Sequence, residues 1–170
     1  GLGNSQVLPR DYVKQQEIEL VLSEMAEQVA IRLRAIRKKT TTVSISIGYS
    51  RFEESTSFRG QMKTEPTNQT EELQKYVISL FRKKYNGGAV RSISVFYSSF
   101  VDENITMLSL FDDPEEILKK ERLQTAIDAI RSQFGFTTLQ KANSLTSASR
   151  SIARSKLVGG HSAGGLDGLK

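Results

Sequence analysis

The sequence predicts an α+β fold: a four-stranded antiparallel sheet in βαββαβ order, two helices on one face, then a C-terminal helix and a flexible tail. Three observations predict it. Apolar and polar residues alternate in three separate stretches, Val43–Tyr49, Phe58–Met62 and Ile93–Tyr97, which is the period of a strand with one buried face. Two other stretches, Ile18–Ile36 and Leu73–Phe81, repeat apolar residues every three or four positions, the period of a helix with one buried face. Gly87-Gly88 then separates the second helical stretch from the last alternating one.

Taken in order, Ser5-Gln6-Val7-Leu8-Pro9 reads as a short strand, and Pro9 places it at a sheet edge. Asp11 stands where it would cap a long helix running to about Lys39, with Ile18, Leu22, Met25, Val29, Leu33 and Ile36 inward. Arg32, Arg34, Arg37, Lys38 and Lys39 crowd its end, where they either complement the helix dipole or face a polyanion. The second strand turns at Glu53-Glu54-Ser55-Thr56 into the third, making an antiparallel hairpin. Thr70-Glu71-Glu72 opens the second helix, whose stripe is Leu73, Tyr76, Val77, Leu80 and Phe81. Ile93, Val95 and Tyr97 give the last strand its buried parity. This order is the ferredoxin-like split βαβ arrangement. Asp113-Pro114-Glu115-Glu116 then starts a third helix, with Leu123, Ile127, Ile130 and Phe134 as its apolar stripe and Gly135 as its stop.

Composition excludes several function classes. The 170 residues contain no cysteine, so disulfides, thiolate metal sites and cysteine nucleophiles are ruled out. No apolar run approaches the roughly 20 residues of a membrane span, and a cytoplasmic location is expected. The single His161 has no metal-ligand spacing around it, Asp112-Asp113 and Glu53-Glu54 read as a cap and a turn, and no glycine-rich phosphate loop follows a strand. Lys and Arg number 24 against 19 Asp and Glu, a net +5 that permits a polyanionic partner. From Lys141 onward there are five basic side chains (Lys141, Arg150, Arg154, Lys156, Lys170) against the acid Asp167, in a Ser-, Ala- and Gly-rich stretch read as flexible.

Both crossovers should be right-handed, so the two helices cover the same side of the sheet and leave the other open. That open face would carry Ser44, Ser46, Gly48 and Ser50, with Arg59, Gln61 and Lys63 on one neighbour and Ser92, Ser94 and Phe96 on another. Small hydroxyl residues admit a close backbone, and with Arg and Lys they can hydrogen-bond phosphate oxygens. A solvated antiparallel face is the plainer reading, although serine is a mediocre strand former.

Several motifs resemble one known family. Gly3-Asn4-Ser5-Gln6, Tyr49-Ser50-Arg51-Phe52, Phe58-Arg59-Gly60, Pro66-Thr67-Asn68-Gln69-Thr70, Val90-Arg91-Ser92-Ile93-Ser94-Val95 and Ala126-Ile127-Asp128-Ala129-Ile130-Arg131 with Phe134-Gly135 are, in this order, similar to the little-finger domain of Y-family, UmuC-like lesion-bypass DNA polymerases. The resemblance implies residues 1–4 as a linker from a catalytic core, 5–102 as the DNA-binding little finger, 103–113 as a clamp-binding linker, 114–135 as a C-terminal helix and 136–170 as a basic tail. Starting at Gly1 rather than Met, the chain reads as a fragment of such a polymerase.

The same resemblance implies primer–template DNA as a partner, contacted through its backbone by Ser44, Ser46, Arg59, Gln61, Lys63, Arg91, Ser92 and Ser94. Met107-Leu108-Ser109-Leu110-Phe111 resembles the bacterial sliding-clamp-binding pentapeptide, with Met107 in place of the usual Gln. The metal-holding carboxylates of the family lie in the palm, so the fragment is expected to be non-catalytic and without a cofactor, while the parent enzyme uses Mg2+. The competing reading is a protein-interaction module, docking on a clamp or repair factor without gripping DNA.

Overall fold

A computed structural model describes residues 1–105, 112–158 and 161–162. Four strands, β1 (Leu2–Tyr12), β2 (Lys38–Tyr49), β3 (Phe58–Thr67) and β4 (Val90–Asp102), form one antiparallel sheet in the order β1-β4-β2-β3. Helices α1 (Gln15–Ala35) and α2 (Thr70–Lys84) pack on it, as the periodicities predict. Val43, Ile45 and Ile47 of β2 and Ile93, Val95 and Tyr97 of β4 point into the core with Leu22, Met25, Val29 and Leu33 of α1 and Leu73, Val77 and Phe81 of α2. Tyr97 is wholly buried, yet its hydroxyl donates to the Ala26 carbonyl at 3.0 Å, so no polar atom is stranded there.

The first half departs from expectation at its joints. β1 runs from Leu2 to Tyr12 rather than stopping at Pro9, and its pairing with β4 breaks between Val7 and Tyr12. Pro9 sits in that break, where its missing N–H costs no ladder bond. Asp11 therefore belongs to the strand and lies 3.4 Å from Arg91; α1 begins at Gln15 behind Lys14, with no side-chain cap. The helix also ends earlier than Lys39. Arg37 adopts φ 56° and turns the chain, so Lys38 and Lys39 already pair with Asp102 and Val101 of β4. Ile36, expected inward, is left half exposed.

Helix α3 (Pro114–Phe134) starts and stops where the sequence places it. Asp113 accepts from the Glu115 N–H at 3.0 Å, and Gly135 takes φ 97°, a conformation costly for other residues. Its stripe, however, is not buried. Leu123 and Phe134 are 62% and 65% exposed, and no residue of the helix is buried. Two ion pairs fasten it to α1 instead, Arg34–Asp128 and Arg131–Glu27 at 3.0 Å, both with side chains largely withdrawn from water.

Of the segment expected as a flexible tail, residues 159–160 and 163–170 lie outside the described ones; the rest holds short helical turns, Phe136–Thr138 and Ala142–Leu145, then α4 (Ser151–Ser155) and a two-residue pairing of β5 (Leu157–Val158) with β6 (His161–Ser162). Part of it packs against the domain through polar contacts. Glu24 of α1 accepts from the Ser149 hydroxyl and from the Arg150 N–H at 2.8 Å, the Tyr12 hydroxyl donates to the Ala148 carbonyl at 2.9 Å, and Arg154 donates to Gln6. Burial raises the Glu24 carboxyl above its ordinary 4.5, against the opposing pull of the Ser149 and Arg150 hydrogen bonds. A raised folded-state value means that the folded chain binds more protons than the unfolded one between the two values. The Glu24 contribution is therefore full below 4.5 and lost as pH rises through the folded value. Glu24→Gln, which does not titrate and keeps one of the two acceptor oxygens, is expected to flatten the fall of Tm on raising pH from about 4.5 to about 7. An unchanged Tm–pH slope would rule Glu24 out as its source.

Candidate nucleic-acid interface

The face of the sheet away from α1 and α2 is a lattice of small polar groups in fixed register. One row runs Gly3, Phe96, Ser44, Gln61 across β1, β4, β2 and β3; the next runs Ser5, Ser94, Ser46, Arg59. Val7, Ser92 and Gly48 form a third row toward one end, and Ser98, Thr42 and Lys63 a fourth toward the other. Strands stand about 4.8 Å apart, so the four columns span about 14 Å. Alternation places these side chains away from the helices, because the other parity fills the core; of the rows named, Thr42 is itself buried.

Five of the sequence-predicted residues meet in one place. Ser44, Ser46, Arg59, Gln61 and Ser94 line a shallow depression of about 340 Å³, and Phe96 joins them from the same face. Lys63 and Ser92 lie at opposite ends of the lattice. Ser92 folds over Gly48, where an added Cβ would lie 2.2 Å from its Oγ. Ser5, not singled out from the sequence, joins the lattice with its Oγ 2.8 Å from that of Ser94. Its strand alternates too weakly in polarity to have marked it. Ser50, by contrast, lies beyond the end of β2 and is buried.

Arg91 departs from the rest. It stands in a bulge where Gly48 pairs with Ser92 and Tyr49 with Val90, so it has no place in the outward rows, and its guanidinium faces Asp11 at 3.4 Å. Among the described residues no carboxylate holds Arg59 or Lys63, and both are exposed. The cations at the end of α1 are committed elsewhere. Arg34 forks onto Asp128 at 2.5 and 3.0 Å, Arg37 binds Glu103 at 2.7 Å, Lys38 binds Asp102 at 2.5 Å, and Arg32 and Lys39 donate to the Gly3 and Ile105 carbonyls at 3.0 and 3.1 Å. The dipole reading does not extend to Arg37, Lys38 and Lys39, which stand beyond the end of α1 at Ala35.

The pentapeptide Met107–Phe111 lies outside the described residues. Among those described, no three His, Cys, Asp or Glu side chains converge as metal ligands, and no helix is long and apolar enough to cross a membrane.

Comparison with known proteins places the chain in a family. The profile of the impB/mucB/samB family C-terminal domain matches residues 1–110, the whole sheet with α1 and α2. The chain belongs to that family. The impB/mucB/samB C-terminal domain is the part of UmuC-like Y-family proteins to which the sequence motifs point, so the expected resemblance is borne out. UvrX of Bacillus subtilis (strain 168), whose name ties it to UV-damage repair, is 39% identical over 160 residues, covering 94% of this chain and 38% of UvrX. Two proteins named DNA polymerase IV 2 are similar as well. That of Bacillus subtilis (strain 168) is 36% identical over 162 residues, covering 94% of this chain and 39% of the relative. That of Halalkalibacterium halodurans (strain ATCC BAA-125 / DSM 18197 / FERM 7344 / JCM 9153 / C-125) is 34% identical over 162 residues, covering 95% and 39%. The chain spans about two fifths of the length of these relatives. Their alignments run well past residue 110, over a stretch the length of the docked C-terminal segment.

Proposed function

We propose that this domain grips primer–template DNA through its phosphate backbone, as the non-catalytic DNA-binding part of a translesion polymerase acting in DNA repair. The open lattice carries this reading. It offers hydroxyl and amide groups in a flat array about as wide as the major groove of B-DNA, with Arg59 and Lys63 along one edge, paired with no carboxylate of the described residues. Such a surface binds phosphates without reading base edges, and a damaged base therefore leaves its grip unchanged. Ser44, Ser46, Gln61, Ser92 and Ser94 supply hydrogen bonds along the backbone; Arg91 contributes only by leaving Asp11. The names of the relatives, DNA polymerase IV 2 and UvrX, agree with this assignment. Met107–Phe111 is proposed to dock on the sliding clamp, and catalysis with Mg2+ is assigned to a palm in the parent polymerase.

Fluorescence anisotropy with labelled primer–template DNA across a salt series tests the grip. Each phosphate contact steepens the dependence of log K on log salt by about 0.9. Arg59→Ala and Lys63→Ala are each expected to weaken binding equally on unrelated sequences and to reduce the slope by about one. If the double variant binds like wild type, the grip is wrong and the interaction-module reading takes its place.

A further inference from the structure

Phe96 is out of keeping with the face it stands on. Every other side chain lining the depression's outward rows is a hydroxyl, an amide or a guanidinium, whereas Phe96 offers a ring that is 45% exposed. The ring is also held in place. It extends along β1 over two glycines: a Cβ added at Gly3 would lie 2.4 Å from its Cδ2, and one at Gly1 2.4 Å from its Cζ. One ring face is thus laid on backbone that only glycine allows to come so near, and the other is open. No second ring of the described residues stacks on it.

We infer that Phe96 and the depression beside it seat one unpaired nucleobase, so that the domain binds single-stranded nucleic acid as well as duplex backbone. This inference rests on the proposed DNA-binding reading and adds a base contact to it. A base stacked on the open ring face lies beside Ser44 and Ser94, with Gln61 and Arg59 two strands, or about 10 Å, away. That is within reach of a long side chain donating to the flanking phosphate. A depression of about 340 Å³ lies at the small end of the range for small-molecule sites, in keeping with one nucleotide. Every base has a π face, so the seat is indifferent to sequence and tolerates many altered bases. A ring pinned before binding loses little entropy when the base arrives.

The test uses the whole chain and two fluorescein-labelled strands of about 12 nucleotides, within the site sizes of single-strand binders. One is made of deoxythymidines and the other has abasic sites at all internal positions. Both carry the same phosphates. Wild type is expected to favour the base-containing strand, and Phe96→Ala to lose about fivefold or more on it while changing little on the abasic strand. The chain has no tryptophan, so Phe96→Trp adds a single reporter. Its fluorescence should be quenched by an unlabelled thymidine strand and not by the abasic one. Equal loss on both strands would make Phe96 a cover for Gly1 and Gly3 and overturn the inference. So would an indole signal from the Phe96→Trp variant that stays unquenched on a thymidine strand that binds. The Arg59→Ala/Lys63→Ala double variant separates this inference from the reading beneath it. If that variant binds the abasic strand like wild type while the Phe96 effect persists, the backbone grip fails and the base seat stands. If wild type binds neither strand, both fall.

Discussion

Arg34→Ala is expected to lower the unfolding free energy by about 2–3 kcal/mol and to release α3 from the domain. The guanidinium forks onto Asp128 and also donates to the Asn68 carbonyl at 2.6 Å and the Thr70 hydroxyl at 3.1 Å. Its side chain is 11% exposed and that of Asp128 23%. Removing one partner of a fully buried pair costs about 3–5 kcal/mol, and the water that Asp128 retains reduces that figure. Arg34→Lys is expected to recover little, since an ammonium cannot span two carboxylate oxygens, a carbonyl and a hydroxyl together. Urea denaturation gives the loss, and hydrogen exchange locates it: α3 amides should exchange faster while those of β2 and β4 do not. Unchanged α3 protection would mean that its apolar residues hold it after all.

Phe81→Ala is expected to cost about 3–5 kcal/mol, a large share of the roughly 5–15 kcal/mol that holds a domain together. Phe81 is fully buried, stacks on Tyr85 at 4.6 Å between ring centroids, and through Tyr85 adjoins Tyr49 and Phe58. The helix that carries it lies under β2 and β3, and Leu80 comes within 3.5 Å of where a side chain at Gly60 would begin. The cavity thus opens beneath the strand that presents Arg59 and Gln61. Guanidinium unfolding should show a lower midpoint with an unchanged slope. A loss under about 1.5 kcal/mol would show that neighbouring rings collapse into the space.

The sheet was legible because each strand needs one buried face, and a period of two survives any detail of packing. The lattice followed from the same alternation, which is why Ser44, Ser46, Arg59, Gln61 and Ser94 converge as expected. Arg91 did not follow, because a single extra residue in β4 removes it from that alternation and nothing in Val90-Arg91-Ser92 announces a bulge. Asp11 suits a helix cap and a strand end equally well by residue type; its nearness to Arg91, 80 positions away, accompanies the second. The docked segment was illegible for a related reason. Its anchors, Ser149, Arg150 and Arg154, are polar and meet Glu24 and Gln6 from 125 to 148 positions away, so no local period betrays them. A Ser- and Ala-rich composition predicts freedom only when no buried polar partner waits elsewhere in the chain.

The strand order β1-β4-β2-β3 also sets a timetable for synthesis. Leu2 pairs with Tyr97, so the first strand made has no hydrogen-bonding neighbour until the last strand of the sheet emerges from the ribosome. At about 5–20 residues per second that interval is on the order of 5–20 s. The hairpin of β2 and β3 with α2 can form early, from local contacts, whereas β1 must wait with Leu8 and Tyr12 uncovered. Closure of the sheet by β1 is then a long-range event with a large loop entropy to overcome, and until it happens the free edge of β4 is open to another strand.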